Sequence, residues 1–235
     1  MMKKTLIAGA VLAATSTAAM AEISGNVSML SDYAFRGVSQ TDEQMALQGG
    51  LDYAHESGFY VGTWASNVDS SFFNDAQDPQ LEVDVYAGFS GELANGIGYD
   101  LGILHYDYPG AKSSDTDELY ISGSMAGFTV SLNYSDELAF LGSTESAWYL
   151  AAGYEMTLAQ DIGLAVHVGL SDGDAFDGGA GAAFNDSYVD WSIGVSKTVA
   201  GVDLGLTYVD SDADDANYFG DLAEARIVFS VGKSL

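Results

Sequence analysis

Ten ionisable residues recur at alternate positions of segments whose other positions are mostly apolar: Arg36, Asp52, Glu82, Asp84, Asp100, Glu155, His167, Asp203, Glu224 and Arg226. Seven of them are carboxylates. Gathered around a water-filled bore, such a set favours cations or neutral solutes over anions. Catalysis is a weaker reading. A serine hydrolase needs a nucleophile, base and orienting acid in one constellation, and nothing in the sequence advertises it. Of the three histidines, His55 sits at a turn, His105 on an apolar face, and only His167 among polar neighbours. A lone histidine of that kind reads as a hydrogen-bonded structural residue. There is no glycine-rich phosphate loop and no histidine pair at metal-ligand spacing. Cysteine is absent, which excludes thiolate zinc. No enzyme and no resident cofactor is expected.

Two acidic stretches stand apart, "SDGDAFDGG" (171–179) and "DSDADDAN" (210–217). Carboxylate clusters can hold a hard cation such as Ca2+, and a bridge to lipopolysaccharide phosphates is one reading. Neither has EF-hand spacing, so solvated loops are the favoured expectation.

The elements that carry these residues alternate with period two, the mark of strands with one apolar face. In "IGLAVHVGL", Ile162, Leu164, Val166, Val168 and Leu170 alternate with Gly163, Ala165, His167 and Gly169. Twelve such segments follow the N-terminal region, near 23–38, 46–55, 59–67, 81–92, 97–107, 117–126, 128–135, 146–157, 162–171, 187–198, 202–210 and 223–234. A merged or split hairpin would make ten or fourteen. Short connections such as "ESG" (56–58) and "VAG" (199–201) alternate with long polar loops, and both prolines, Pro79 and Pro109, fall in long loops. Short turns at one end and long loops at the other suit an outer-membrane barrel. A closed sheet has no place for a missing N–H.

Aromatic residues support this. Tyr53, Phe59, Phe89, Tyr99, Phe128 and Tyr154 fall beside short turns, on apolar faces. Tyr33, Phe35, Tyr134, Trp148, Trp191 and Tyr208 fall beside long loops, with aliphatic residues between the two levels. Two girdles around an aliphatic band fit a barrel in lipid better than a soluble sandwich. The fold class is therefore all-β: one closed antiparallel transmembrane β-barrel of about 12 strands with acidic outer loops. The ten residues above then line its lumen. An open pore is favoured over a plugged polar core in which acids pair with Arg36, Arg226 and tyrosines.

Residues 1–21 read as a cleaved signal peptide: Lys3 and Lys4, an apolar run, then "AMA" before Glu22. Sec export and an outer-membrane location in a Gram-negative bacterium follow as expectations. Cleavage removes two lysines and no acid, so the formal charge of −27 becomes −29. Such a chain has no basic patch for nucleic acid. Its expected partners are outer-membrane lipid, lipopolysaccharide and small solutes, and nothing indicates an oligomeric state.

"SDYAFRGVSQT" (31–41) and "ALQGGLDYAHESGFYVGTWASNVD" (46–69) resemble the TorF-type porin-like family of proteobacterial outer-membrane proteins. The similarity continues more loosely through "LEVDVYAGFSGEL" (81–93) to the last strand. It implies an outer-membrane barrel and a pore, and supplies neither substrate nor catalytic residues; the strands, girdles and acidic lumen point to passive diffusion of small solutes. A non-conducting structural or surface-interaction barrel is the alternative; a barrel enzyme acting on lipid is disfavoured. The ending "RIVFSVGKSL" departs from the usual terminal aromatic. By parity Tyr33 and Phe35 belong to the outer girdle and Arg36 faces inward. Arg36 is then expected to pair with Glu224 or another inward acid where first and last strands meet.

Overall fold

The computed structural model describes residues 21–73, 79–179, 186–213 and 219–235. Residues 1–20 of the expected signal peptide, residues 74–78 and 180–185, and residues 214–218, which include the end of the second acidic stretch, lie outside the described residues. Twelve long strands form the wall. They are β1 (Glu22–Leu30), β4 (Ala46–Ala54), β5 (Phe59–Asn67), β6 (Leu81–Glu92), β7 (Gly98–Asp107) and β8 (Thr116–Met125). The chain continues with β9 (Phe128–Ser135), β10 (Ala147–Leu158), β11 (Ile162–Asp172), β12 (Tyr188–Val199), β13 (Val202–Ser211) and β14 (Arg226–Ser234). A small hairpin, β2 (Ala34–Phe35) and β3 (Val38–Ser39), stands outside the wall sheet.

Each long strand pairs antiparallel with its chain neighbours, and β1 closes on β14 from Asn26↔Ser234 to Leu30↔Ser230. Closure leaves no unpaired edge, the condition for a sheet to cross lipid. The apolar faces point outward: Ile103 and Ile121 are 58% and 56% exposed, while Tyr106 and Glu118 on the same strands are buried. This inverts a soluble protein. The girdle beside the short turns is built from facing strands, with Phe59↔Phe89 and Phe128↔Tyr154 opposite each other. Their ring centroids lie 5.6 and 4.4 Å apart. At the loop end Tyr134 faces Trp148, and the Trp191 and Tyr208 rings meet at 5.2 Å.

The first strand departs from expectation. It ends at Leu30 rather than running to residue 38. Ser31 terminates the pairing, donating its N–H to the Phe229 carbonyl and accepting the Phe229 N–H on its hydroxyl. The chain then turns into the barrel mouth. Arg36 (φ 48°) and Gly37 (φ 82°) supply the two left-handed residues of a tight hairpin turn. Tyr33 and Phe35 therefore leave the outer girdle: Tyr33 is buried, and Phe35 packs edge-on against Tyr106 and Phe140. Apolar residues can face inward here because the loops bring apolar partners to the mouth.

The last strand starts at Arg226 rather than 223, because Gly220–Ala223 forms a 3-10 turn. The long loops are thus not simply solvated. Short turns at Ser70–Phe72, Ala139–Leu141, Asp174–Phe176 and Gly220–Ala223 each bury one or two apolar side chains. Phe72 stacks on Phe219 at 5.8 Å and on Phe140 at 6.1 Å. With Leu30, Val38, Tyr108 and Phe176 these rings form an apolar core inside the loop-side mouth.

Candidate functional site

The lumen has a half capped by apolar side chains and a half lined by small residues. In the capped half the β2–β3 hairpin crosses the bore. Arg36 Nη2 donates to Glu118 Oε2 at 2.6 Å, reaching β8 from the end of β1. Its guanidinium carbon lies 4.3 Å from the Tyr149 ring centroid and 4.7 Å from that of Phe35. Burial opposes its charge, but Glu118 and then Tyr106 outweigh that, so the guanidinium is held protonated more firmly than usual. Glu118 also accepts from Asn133 at 2.5 Å and Tyr106 at 3.4 Å. Gly37 lies against the opposite wall, where a Cβ would stand 2.7 Å from the Cβ atoms of Asp190 and Ser211. Between Phe35, Arg36, Phe72, Phe140, Tyr188 and Phe219 a gap of about 20 Å³ remains. That is room for about one water.

Above Glu118 the wall holds more acid. Glu82 is buried and accepts hydroxyl bonds from Tyr33 and Tyr108, both 2.9 Å. Burial first, and the Glu82 charge second, push both phenols well above the ordinary tyrosine range. Asp84 is also buried, and its Oδ1 has no hydrogen-bond partner among the described residues.

Farther down, carboxylates pair with tyrosines across strands. Tyr86 donates to Asp52 at 2.5 Å and Tyr60 to Asp100 at 2.6 Å, with Tyr120 bonded to Tyr60. Each ring lies over a glycine directly opposite: Tyr86 over Gly62, Tyr60 over Gly88, Tyr120 over Gly102. A Cβ at these glycines would strike the ring. Tyr149 donates to Asp190 at 2.9 Å and lies 2.7 Å from His167 Nε2. The remaining wall toward the short turns carries small, half-buried residues, among them Ser28, Ser131, Gly153, Ala165, Ser192 and Gly205. Inward glycines thus seat tyrosine rings, and others lie against neighbouring hydroxyls, as Gly205 does against Ser230.

The placement of the ten expected lumen residues is mixed. Glu82, Asp84 and Asp100 are buried inward; Asp52, His167 and Asp203 are half-buried there, Asp203 accepting from Thr198 at 2.5 Å. Glu155 is exposed near the short-turn end. Glu224 is a correction: it precedes β14, is exposed, and does not line the bore, because the 3-10 turn before it carries it out. The Arg36–Glu224 pairing is likewise replaced by Arg36–Glu118 on a distant strand. The strand seam does have an ion pair, made by Arg226 Nη1 with Asp32 Oδ2 at 3.1 Å.

Asp32, Tyr149 and Asp190 were not singled out by sequence reasoning. Alternation along 187–198 puts Asp190 in phase with Ser192 and so could have found it. Asp32 had no such signal once residues 31–38 were read as strand.

Acids of the first loop stretch serve as turn partners: Asp172 and Asp177 accept from the N–H groups of Gly173 and Gly179, and Asp174 from Ser146. At the rim, His105, Asp107 and Asp115 bring ligand atoms within 4.8 Å of one another, but Lys112 already pairs with both acids. His105 bonds Asp117 at 2.7 Å.

The family model described as "Bacterial protein of unknown function (Gcw_chp)" matches residues 13–235. No curated protein matches the chain. Among solved structures the chain is similar to the KdgM porin, with a TM-score of 0.53 and 10% identity over 90% of this chain and 96% of that one. It is similar to the NanC porin with a TM-score of 0.54 and 9% identity over 90% and 98%. At such identity the likeness is one of fold: a closed twelve-stranded antiparallel barrel of the outer-membrane porin kind.

Proposed function

The chain belongs to the Gcw_chp family of bacterial proteins, and we propose that this member is an outer-membrane channel for passive diffusion of small solutes, favouring cations. One observation carries the reading. Inward carboxylates at Asp52, Glu82, Asp84, Asp100, Glu118 and Asp190 outnumber the basic residues Arg36 and Arg226 on a wall otherwise made of tyrosines and small residues. A dry interior would pair its charges, because unpaired ones are strongly unfavourable. A wet, acidic bore concentrates cations and excludes anions. The solved barrels of similar fold are named porins, which supports the reading without supplying a solute.

In this account residues 1–21 are a signal peptide removed before Glu22, the chain is exported through Sec, and the two aromatic girdles sit at the lipid interfaces. Lipopolysaccharide contacts the acidic loops, with Ca2+ as the bridging ion where one is bound. No catalytic step is assigned. His167, bonded to Tyr149 near Asp190, is a wall residue.

The apolar cap favours a second reading, a non-conducting structural barrel. Reconstitution in a planar bilayer separates the two. Cation-selective steps support the channel; silence across a wide voltage range, in the native chain and in one whose cap is loosened, supports the structural barrel.

A further inference from the structure

Arg36 is in an unexpected place. The first position of this tight turn suits asparagine, aspartate or glycine, whose left-handed backbone carries little strain. Here an arginine holds φ 48°. Its guanidinium meets one carboxylate at 2.6 Å and the face of a wall tyrosine, Tyr149, at 4.3 Å. A carboxylate beside an aromatic face is how a free guanidinium ion is recognised.

Two observations make that site more than a resting place for Arg36. Carboxyl groups there outnumber the one arginine, since Glu82 and Asp84 are buried on the same wall as Glu118. Asp84 Oδ1 is also unpartnered although Asp84 is only 8% exposed. The wall thus keeps a buried polar atom that the hairpin leaves unused. The hairpin's tip pairs through Ala34↔Ser39 and Phe35↔Val38, and its base is tied by the Gln40 N–H on the Tyr33 carbonyl and the Asp69 N–H on the Gln40 carbonyl.

We infer that Arg36 is a built-in stand-in for a guanidinium-bearing solute, and that such solutes bind at Glu118 and Tyr149 by displacing the hairpin tip. The inference names the solute class of the channel proposed above and rests on that reading for the route by which solute arrives. Guanidinium is preferred to quaternary ammonium because it donates hydrogen bonds to Glu118 while lying flat on the ring. Sodium offers neither a planar face nor donors. Displacement removes the strained turn from the bore, so binding and opening are one event.

The test is a calorimetric titration of the full folded barrel in detergent with methylguanidinium chloride. The native chain binds it, and Arg36→Met, lacking the internal competitor, binds it about tenfold tighter, the ratio that about 1.4 kcal/mol gives. Glu118→Gln binds it weakly or not at all, and tetramethylammonium binds no form comparably. Equal affinity in the native and Arg36→Met chains overturns the inference, as does equal binding of tetramethylammonium.

A second readout does not depend on those variants. The chain has no cysteine, and Val38 is 1% exposed in the hairpin. Val38→Cys should react with iodoacetamide faster in methylguanidinium than in sodium chloride of equal ionic strength. Equal rates overturn the inference. Neither readout needs ion flow. A barrel that binds but never conducts removes the channel reading alone, and one that conducts without either response removes this inference alone.

Discussion

Arg226, the first residue of the last strand, reaches Asp32, two residues beyond the first strand, with Nη1 3.1 Å from Oδ2. The pair spans the closing seam at the loop end, and both side chains are buried. The same guanidinium donates to the carbonyls of Leu222 and Glu224. Asp32 accepts from Ser39 at 2.6 Å and Thr41 at 2.9 Å. One contact therefore joins the seam, the loop before β14 and the base of the inward hairpin.

Arg226→Met should destabilise the barrel by roughly 3–5 kcal/mol, because Asp32 loses its ion-pair partner at the seam and keeps only its hydroxyl donors. Adding Asp32→Asn should recover part of that loss. Urea unfolding followed by tryptophan fluorescence measures both. A single variant within experimental error of the native chain would remove the latch from the account.

Lipid-facing and lumen-facing positions should respond differently to charge. Ile193 points outward near the middle of β12, and Ser192 beside it points in. Ile193→Arg should cost about 2–4 kcal/mol in a bilayer, and Ser192→Arg much less. Folding titrations into lipid vesicles compare them. Equal costs would mean the two faces are misassigned.

Twelve strands are legible because period two survives at nearly every wall position and short turns alternate with long loops. The inward hairpin is not. "SDYAFRGVSQT" continues the apolar alternation of β1, and nothing local shows that Phe72, Phe140 and Phe219, far away in sequence, form the surface that draws Tyr33 and Phe35 inside. Parity places Arg36 inward, but its partner is not at the nearest seam. A hairpin crossing the bore brings it instead to Glu118. Glu224 failed for a related reason: alternation was extended back through Gly220–Ala223, which coils into a 3-10 turn.

The cap should loosen in alkali. Burial, then Glu82, raises the Tyr33 and Tyr108 phenols. In the unfolded chain they ionise near about pH 10. Above that pH the unfolded state holds fewer protons than the folded one, so stability is full below about pH 10 and falls as pH rises. Tyr33→Phe with Tyr108→Phe should flatten that fall while lowering stability at neutral pH, since Glu82 loses two donors. Unfolding midpoints at several pH values decide it; an unchanged slope in the double variant would exclude these phenols as the cause.

Gly37 should tolerate no side chain. Its φ of 82° is left-handed, and a Cβ would meet Asp190 and Ser211 at 2.7 Å. Gly37→Val should push the hairpin tip off the wall and leave the twelve-stranded wall intact. Heat-modifiable gel migration would be retained while Val38→Cys in that background gains reactivity. A hairpin still protected would show that the tip is not seated as described.

Ion selectivity in a planar bilayer, under a potassium chloride gradient, bears on the whole account. The acidic lumen predicts discrete steps whose reversal potential has the sign of cation preference, more frequent in Arg36→Ala than in the native chain. Absence of steps in both chains across a wide voltage range, or a reversal potential of anion sign, would contradict it.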